Sequence, residues 1–284
     1  MNAAFFDIDG TLLAKPSLER RLFWELQRRG KIPARNYLHW LVETVRLGLC
    51  DPQNIRSAVL ANKKYLRGVH ASVASRDARN AASFAENRSP EFFPAAIQRV
   101  WWHALRGDAI VLVSGTLAPL AELVQFALER ELLWRGVEGK IFSIATQLEI
   151  VDGRWTGAVS GKAIFGEEKA LAVKCFARAQ NISLACSSAY GDSSLDRSML
   201  GRVGHAFAVN PTRRLQRIAR SRGWHILHWT HSAMRTAKEQ RSASVEWAAV
   251  ERTASEDRSC SEQRAAFAQQ GRKKSFKPRR EAAR

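Results

Sequence analysis

Ala3-Ala4-Phe5-Phe6-Asp7-Ile8-Asp9-Gly10-Thr11 decides the reading of this chain. Four apolar residues, two carboxylates at alternate positions and a glycine spell a short buried strand that runs into a turn. Side chains alternate along a strand with period two, so Asp7 and Asp9 project in the same general direction and can face one substrate. Alone, an Asp-x-Asp is commonly a turn or a solvated pair. Its meaning depends on what the rest of the chain brings to the same edge.

Working outward, residues 17–106 read as helical. Leu18, Leu22 and Leu26 share one face before Gly30, and Leu38, Leu41, Val42 and Val45 share another before Gly48. Two more helices are predicted at 52–66 and 72–87. Residues 94–106 read as a helix stopped by Gly107-Asp108, and 109–113 as a strand covered on both faces. Ser114-Gly115-Thr116 is predicted to cap a helix over 117–133. Stretches 141–150 and 154–159 flank Val151-Asp152-Gly153, a hairpin signal. A helix over 167–179 leads to a strand over 183–190, closed by Gly191-Asp192, a helix over 193–200, and a further strand over 206–209. Alternating strands and helices predict an α/β fold: a mostly parallel sheet with helices on both faces. The expected division is a core of residues 1–14 and 94–230, an inserted all-helical block over 15–93, and a basic tail over 231–284.

With 284 residues, 45% of them hydrophobic, and nine tryptophans, the chain has ample material for a core. It shows neither a secretion signal nor about 18 consecutive apolar residues, which predicts a cytoplasmic protein without a transmembrane segment. Cys50, Cys175, Cys186 and Cys260 lie far apart and read as free thiols. The net charge is +18. The tail carries 13 basic and 7 acidic residues, so +12 remains on the preceding residues. Such a field attracts phosphorylated substrates, nucleic acid and anionic membranes alike. Disorder is the expectation for the tail.

In open parallel sheets ligands sit at the carboxyl ends of the strands. Three segments end there: one at Asp7 and Asp9, one at Ser114, one at Asp192. Each meets a need of phosphoryl transfer. A phosphate dianion repels a carboxylate nucleophile, so the site needs a cation and hydrogen-bond donors to neutralise it. Asp192 and Asp7 offer hard oxygens to magnesium. Ser114 offers a hydroxyl and the amides that follow it, and Lys169 offers a point charge. Taken singly, Ser114 is an N-cap, Lys169 a solvated helix residue, and Asp192 and Asp196 caps of the next helix.

The ordered set Asp7-x-Asp9-Gly10-Thr11, Ser114-Gly115-Thr116, Lys169, Gly191-Asp192-x-x-x-Asp196 resembles the four motifs of the haloacid dehalogenase-like superfamily. More narrowly it resembles the phosphoserine phosphatase-like branch, and the likeness covers roughly residues 1–229. The resemblance implies a Rossmann-like core with a helical cap, here 15–93, and a hairpin with an Asp-Gly turn before the lysine. It also implies that Asp7 becomes the aspartyl-phosphate, and that Asp9 protonates the leaving oxygen and then activates water. Magnesium would be held by Asp7, Asp192 and the backbone carbonyl of Asp9. Ser114, Gly115 and Lys169 would bind phosphate, and Asp196 would support the metal site and Lys169. One position departs from the branch: Pro16 stands where phosphoserine phosphatases carry the glutamate that holds the substrate amino group, and Glu19 is not aligned with it.

These readings predict a magnesium-dependent phosphatase for a small or lipid-linked phosphate ester, with phosphoserine kept among the candidates although Pro16 speaks against it. The competing reading is a binding protein on a phosphatase-like fold, holding nucleic acid or an anionic membrane through its basic surface and tail.

Overall fold

The computed structural model describes residues 1–50, 59–71 and 92–230. The described residues belong to one compact unit; the basic tail over 231–284 and the helix expected at 72–87 lie outside them.

In chain order the strands are β1 (Ala3–Phe6), β2 (Ala109–Leu117), β3 (Ile141–Thr146), β4 (Leu148–Val151), β5 (Arg154–Val159), β6 (Ser188–Gly191), β7 (His205–Val209) and β8 (His225–Leu227). Six of them form one sheet in the order β3-β2-β1-β6-β7-β8. Every neighbouring pair is parallel, as the α/β reading requires. β1 lies at the centre because it can be buried on both faces. Phe6 joins Leu112, Tyr190 and Phe207 in one apolar cluster, while Phe5 joins Val111 and Ala189 in the other. Helices α3 (Pro94–Leu105) and α4 (Ala118–Trp134) supply the first cluster. The second is completed by α5 (Glu167–Ala179), α6 (Arg197–Leu200) and α7 (Arg213–Arg222). Each large apolar side chain fully removed from water contributes about 1.5–3 kcal/mol.

Among the described residues between β1 and α3 stand α1 (Leu18–Arg28), α2 (Ala34–Cys50) and a 3-10 turn at Lys64–Leu66; of the helix expected at 52–66, residues 59–61 are helical and 52–58 lie outside the described residues. The α1 helix is capped by Ser17, whose Oγ accepts from the Arg20 amide at 3.4 Å, and it buries Leu18, Leu22 and Leu26 as their spacing predicts. The α2 helix departs from expectation: it buries Asn36, while Leu38, Leu41, Val42 and Val45 face solvent.

Other departures have local causes. The strand predicted over 141–150 is two strands. β3 stays in the parallel sheet until Thr146, whose buried hydroxyl donates to the Gly115 carbonyl and accepts from the Ile164 amide, and β4 then pairs antiparallel with β5. β2 runs on through Ser114, Gly115 and Thr116 to Leu117, so Ser114 is not an N-cap. The helix α4 begins at Ala118 with no side-chain cap and a proline in its first turn. The strand predicted over 183–190 begins as a 3-10 turn at Leu184–Cys186 and extends only from Ser188. The helix predicted over 193–200 is regular only at Arg197–Leu200. The α7 helix and the short β8 were not anticipated, because α7 is rich in arginine and β8 has only three residues. Cys50 and Cys175 are free, as expected, whereas Cys186 is disulfide-bonded. Among the described residues no helix is long and apolar enough to cross a membrane.

Behind the carboxyl edge, Tyr190 is tied to α3. Its hydroxyl lies 2.8 Å from His103 Nε2, and His103 Nδ1 lies 2.8 Å from Asp108. Burial pushes the imidazole pKa down to about 4 against the pull of Asp108, so the ring is neutral. Its Nδ1–H then donates to the carboxylate, and Nε2 accepts from the tyrosine.

Candidate active site

The parallel register sets the site. Phe6 is level with Leu112 of β2 and Tyr190 of β6, and the Asp7 amide donates to the Tyr190 carbonyl at 2.9 Å. Asp7 therefore leaves β1 beside the end of β6, where Asp192 follows Gly191, and Ser114 lies further along β2. The chain builds outward from β1 through β2 to β3, then returns to place β6 on the other side of β1 and continues to β7 and β8, so the sheet reverses between β1 and β6, the switch point at which open α/β sheets hold ligands.

Lys169 joins the carboxylates. Its Nζ donates to Asp7 Oδ1 and Asp196 Oδ1, both at 2.6 Å, and all three side chains are buried. Burial pulls the ammonium pKa down, but Asp196 and Asp7 outweigh it and hold it above the ordinary lysine value. Asp196 is fully engaged, since its Oδ2 also accepts from the amide and the hydroxyl of Ser193, each at 2.9 Å.

Oxygens of Asp7, Asp192 and Asp196 lie within 4.8 Å of one another. Burial raises the pKa of Asp7 well above the carboxylate range; Lys169 opposes this, and Asp196 and Asp192 add to it. Asp192 is raised for the same first reason and by Asp196, with Lys15 opposing. Such a cluster is short of positive charge. Lys15, whose side chain is 61% exposed, reaches in to 2.7 Å from Asp192 Oδ2, an ion-pair distance without hydrogen-bond geometry. Buried Thr11 Oγ1 and Thr116 Oγ1 lack hydrogen-bond partners, and Asp192 Oδ2 has the Lys15 ammonium alone; the three belong to the loops or strand ends after β1, β2 and β6. Buried polar atoms without partners are rare in folded proteins. Their concentration here, with hard oxygens from Asp7 and Asp192, fits a divalent cation and an anion as ligands.

Asp9 stands apart from the triad. Its Oδ1 accepts from the Leu18 amide at 2.8 Å, and burial lifts its pKa to about 6, the Leu18 bond opposing and Glu19 adding. Gly10 follows with φ of 97°; a side chain there would be strained and would strike the Asp192 carboxylate and Lys15. Gly115 is required for a different reason, because the Phe165 ring occupies the space that a Cβ would take.

The predicted residues are therefore gathered at one sheet edge: Lys169 bridges Asp7 and Asp196, an Asp192 oxygen lies within 4.8 Å of both carboxylates, Asp9 follows Asp7 by two residues, and Ser114 and Gly115 lie on the next strand. Sequence reasoning overlooked Lys15 and a second cluster around Glu19. Glu19 Oε1 accepts from Lys63 Nζ at 2.5 Å and from the Tyr65 hydroxyl at 2.7 Å, and Lys63 lies 5.9 Å over the Phe165 ring. No local pattern marks these residues, since Glu19 and Lys63 meet across 44 residues.

Residues 4–201 match the family model described as haloacid dehalogenase-like hydrolase. The chain belongs to that family. A curated relative, the phosphoserine phosphatase SerB1 of Mycobacterium tuberculosis, is 30% identical over 225 residues, 79% of this chain and 70% of the relative. The structure is similar to that of a Bordetella pertussis protein of unknown function, with a TM-score of 0.59 and 27% identity over 79% of this chain and 97% of that one. A phosphoserine phosphatase in apo form shares the fold at a TM-score of 0.50 and 17% identity, over 76% of this chain and 90% of the other. As a family member the chain is a hydrolase, and it has phosphatases among its relatives, as the motif resemblance implies.

Proposed function

We propose that this hydrolase is a magnesium-dependent phosphatase that cleaves a phosphate monoester by way of a phosphorylated Asp7. The observation that carries the reading is the bridge from Lys169 to Asp7 and Asp196, because it fixes one oxygen of Asp7 and leaves the other available to attack. Magnesium would be held by Asp7, Asp192 and the Asp9 carbonyl, and when bound it supplies positive charge that lets a phosphate dianion approach carboxylates.

The chain's own residues do the rest. Lys169, with the Ser114 hydroxyl and the Gly115 backbone, holds the phosphoryl oxygens. The unengaged oxygen of Asp7 bonds to phosphorus as the bond to the ester oxygen breaks, and Asp9 gives that oxygen its proton. Asp9, now a carboxylate, takes a proton from water as the water attacks phosphorus. The Asp7–phosphate bond breaks, and inorganic phosphate and an alcohol are the products. A pKa of about 6 suits a group that must both donate and accept a proton near neutral pH. Asp196 positions Lys169.

The substrate is a small or lipid-linked phosphate ester, a class in which phosphoserine fits this site less well than other esters. Pro16 offers no carboxylate, and Glu19 already holds Lys63 and Tyr65, so neither position supplies an unpaired acid for an amino group. Purified protein with magnesium, assayed against phosphoserine, sugar phosphates, nucleotides and phosphatidylglycerophosphate, tests the reading. Release of phosphate from one ester, well above phosphoserine, is the expected result; no release from any ester would overturn it.

A further inference from the structure

Five large apolar side chains on α2 face solvent: Leu38, Leu41, Val42, Val45 and Leu49, at 62, 53, 58, 55 and 78% exposure. At about 100° of rotation per residue they occupy one arc roughly 100° wide, the stripe an amphipathic helix normally turns to a core. Here the stripe is turned away, and side-chain amides fix that orientation. Asn36, on the inner face, donates to the carbonyls of Tyr65 at 3.0 Å and Arg67 at 2.6 Å. Asn62 donates to the Trp40 carbonyl at 2.8 Å and to Thr44 Oγ1 at 2.9 Å. Rotating α2 to bury the stripe would leave buried amides and carbonyls unpaired, which costs more than the neutral hydrogen bonds themselves contribute.

Beside the stripe the chemistry changes to positive. Arg35, His39 and Arg46 follow on the adjoining arc and are all exposed. Arg46 is paired with Glu43, while Arg35 is not in any of the described ion pairs. Residues 15–50 as a whole carry eight basic and three acidic side chains. An exposed apolar stripe bordered by basic residues is the composition of a helix lying at a bilayer interface, its aliphatic side chains among the acyl chains and its cations at the headgroups. A second copy of the chain fits less well, because stripe against stripe would bring two basic borders together.

We propose that the outer face of α2 docks on an anionic phospholipid surface. Docking is independent of the phosphatase reading, since it is measured without substrate. The full chain is sedimented with vesicles of phosphatidylcholine alone or mixed with phosphatidylglycerol. It binds the mixed vesicles and far less the neutral ones, and salt weakens the binding. Leu38→Ser/Val42→Ser/Val45→Ser lowers the partition at least roughly tenfold. Arg35→Glu lowers it by roughly fivefold or more, as expected for loss of a basic residue near an anionic surface. Both variants keep the thermal midpoint and the turnover of a soluble aryl phosphate.

Four results would overturn the proposal: no vesicle binding by the full chain; triple-variant binding equal to that of the natural chain, which would place the contact elsewhere, the basic tail included; a dimer in sedimentation velocity that the triple variant converts to monomer; or unfolding of the triple variant while Arg35→Glu binds normally, which would mean that the stripe is covered within the fold.

Discussion

Replacing Lys169 by methionine tests the centre of the site, because the side chain has two measurable duties. It is buried, and its ammonium sits 2.6 Å from two buried carboxylates. Removing one partner of a buried ion pair costs roughly 3–5 kcal/mol, since the remaining charge is left desolvated and unpaired. Against a typical total stability of about 5–15 kcal/mol, Lys169→Met is expected to fold but to melt early. The loss depends on pH with a definite sign. Burial already raises the Asp7 pKa, and Lys169 is the group that lowers it, so without the ammonium that pKa rises further; the Asp7 share of the loss is absent while the carboxyl stays protonated and grows as pH rises through its folded values. Urea denaturation in chelator should therefore show a smaller defect at pH 5 than at pH 8. Asp196→Asn removes one of the two carboxylates, so the double variant should lose less than the sum of the singles by about 0.5–3 kcal/mol. Turnover with saturating magnesium should fall about 100- to 1000-fold, the usual effect of losing one preorganised electrostatic donor. A variant with an unchanged urea midpoint at pH 8, or strict additivity with Asp196→Asn, would refute the bridge.

Three further outcomes follow from the same geometry. Asp7→Asn should form no phosphoenzyme with any ester, whereas Asp9→Asn should retain a slow burst with an aryl phosphate and almost none with an alkyl phosphate; rapid-quench labelling and peptide mapping to residue 7 check both. Without metal, Asp9→Asn should be stabilised by up to about 3 kcal/mol at pH 8 and by little at pH 4, because the raised Asp9 pKa of about 6 costs stability only above the unfolded value near 3.8; chemical denaturation at the two pH values decides. Lys15→Met should tighten magnesium binding in titration calorimetry, because the ammonium 2.7 Å from Asp192 competes for the same carboxylate; unchanged affinity would show that it does not.

The sheet was legible because its strands are buried on both faces and so read as continuous apolar runs, and because each run ends in a polar residue that chemistry can use. Asp7, Ser114 and Asp192 were found in that way. Lys169 was legible only through the motif set, since a lysine in the first turn of α5 has no pattern of its own. What failed was whatever depends on contacts between distant segments. Ser114 reads as an N-cap until β2 is seen to run three residues past it. The apolar spacing of α2 correctly predicts a helix but says nothing about which face meets the protein, and buried Asn36 settles that against the usual rule. The Glu19–Lys63 pair could not be read at all, because it spans two segments with no shared periodicity.

Charge balance explains why the two clusters should be considered together. Asp7, Asp9, Asp192 and Asp196 stand against Lys169 and the reaching Lys15, so the sheet edge is two positive charges short if all four acids ionise. Raised pKa values at Asp7, Asp9 and Asp192 are the protein's answer without metal, because protonation is the cheapest neutralisation that a buried carboxylate has. A divalent cation would make up the deficit and let Asp7 and Asp192 ionise, but it brings nothing to offset an incoming phosphate dianion. That second deficit falls on Lys169, the backbone near Ser114 and any cation freed from Asp192. Lys15, which is largely exposed, is the group able to move there without breaking a buried contact. Glu19, by contrast, holds Lys63 in place through a pair that is mostly buried, so Lys63 is a fixed charge. On the proposed reading the two lysines then differ in kind: Lys15 is exposed and able to follow the phosphate, whereas Lys63 is held in place by Glu19.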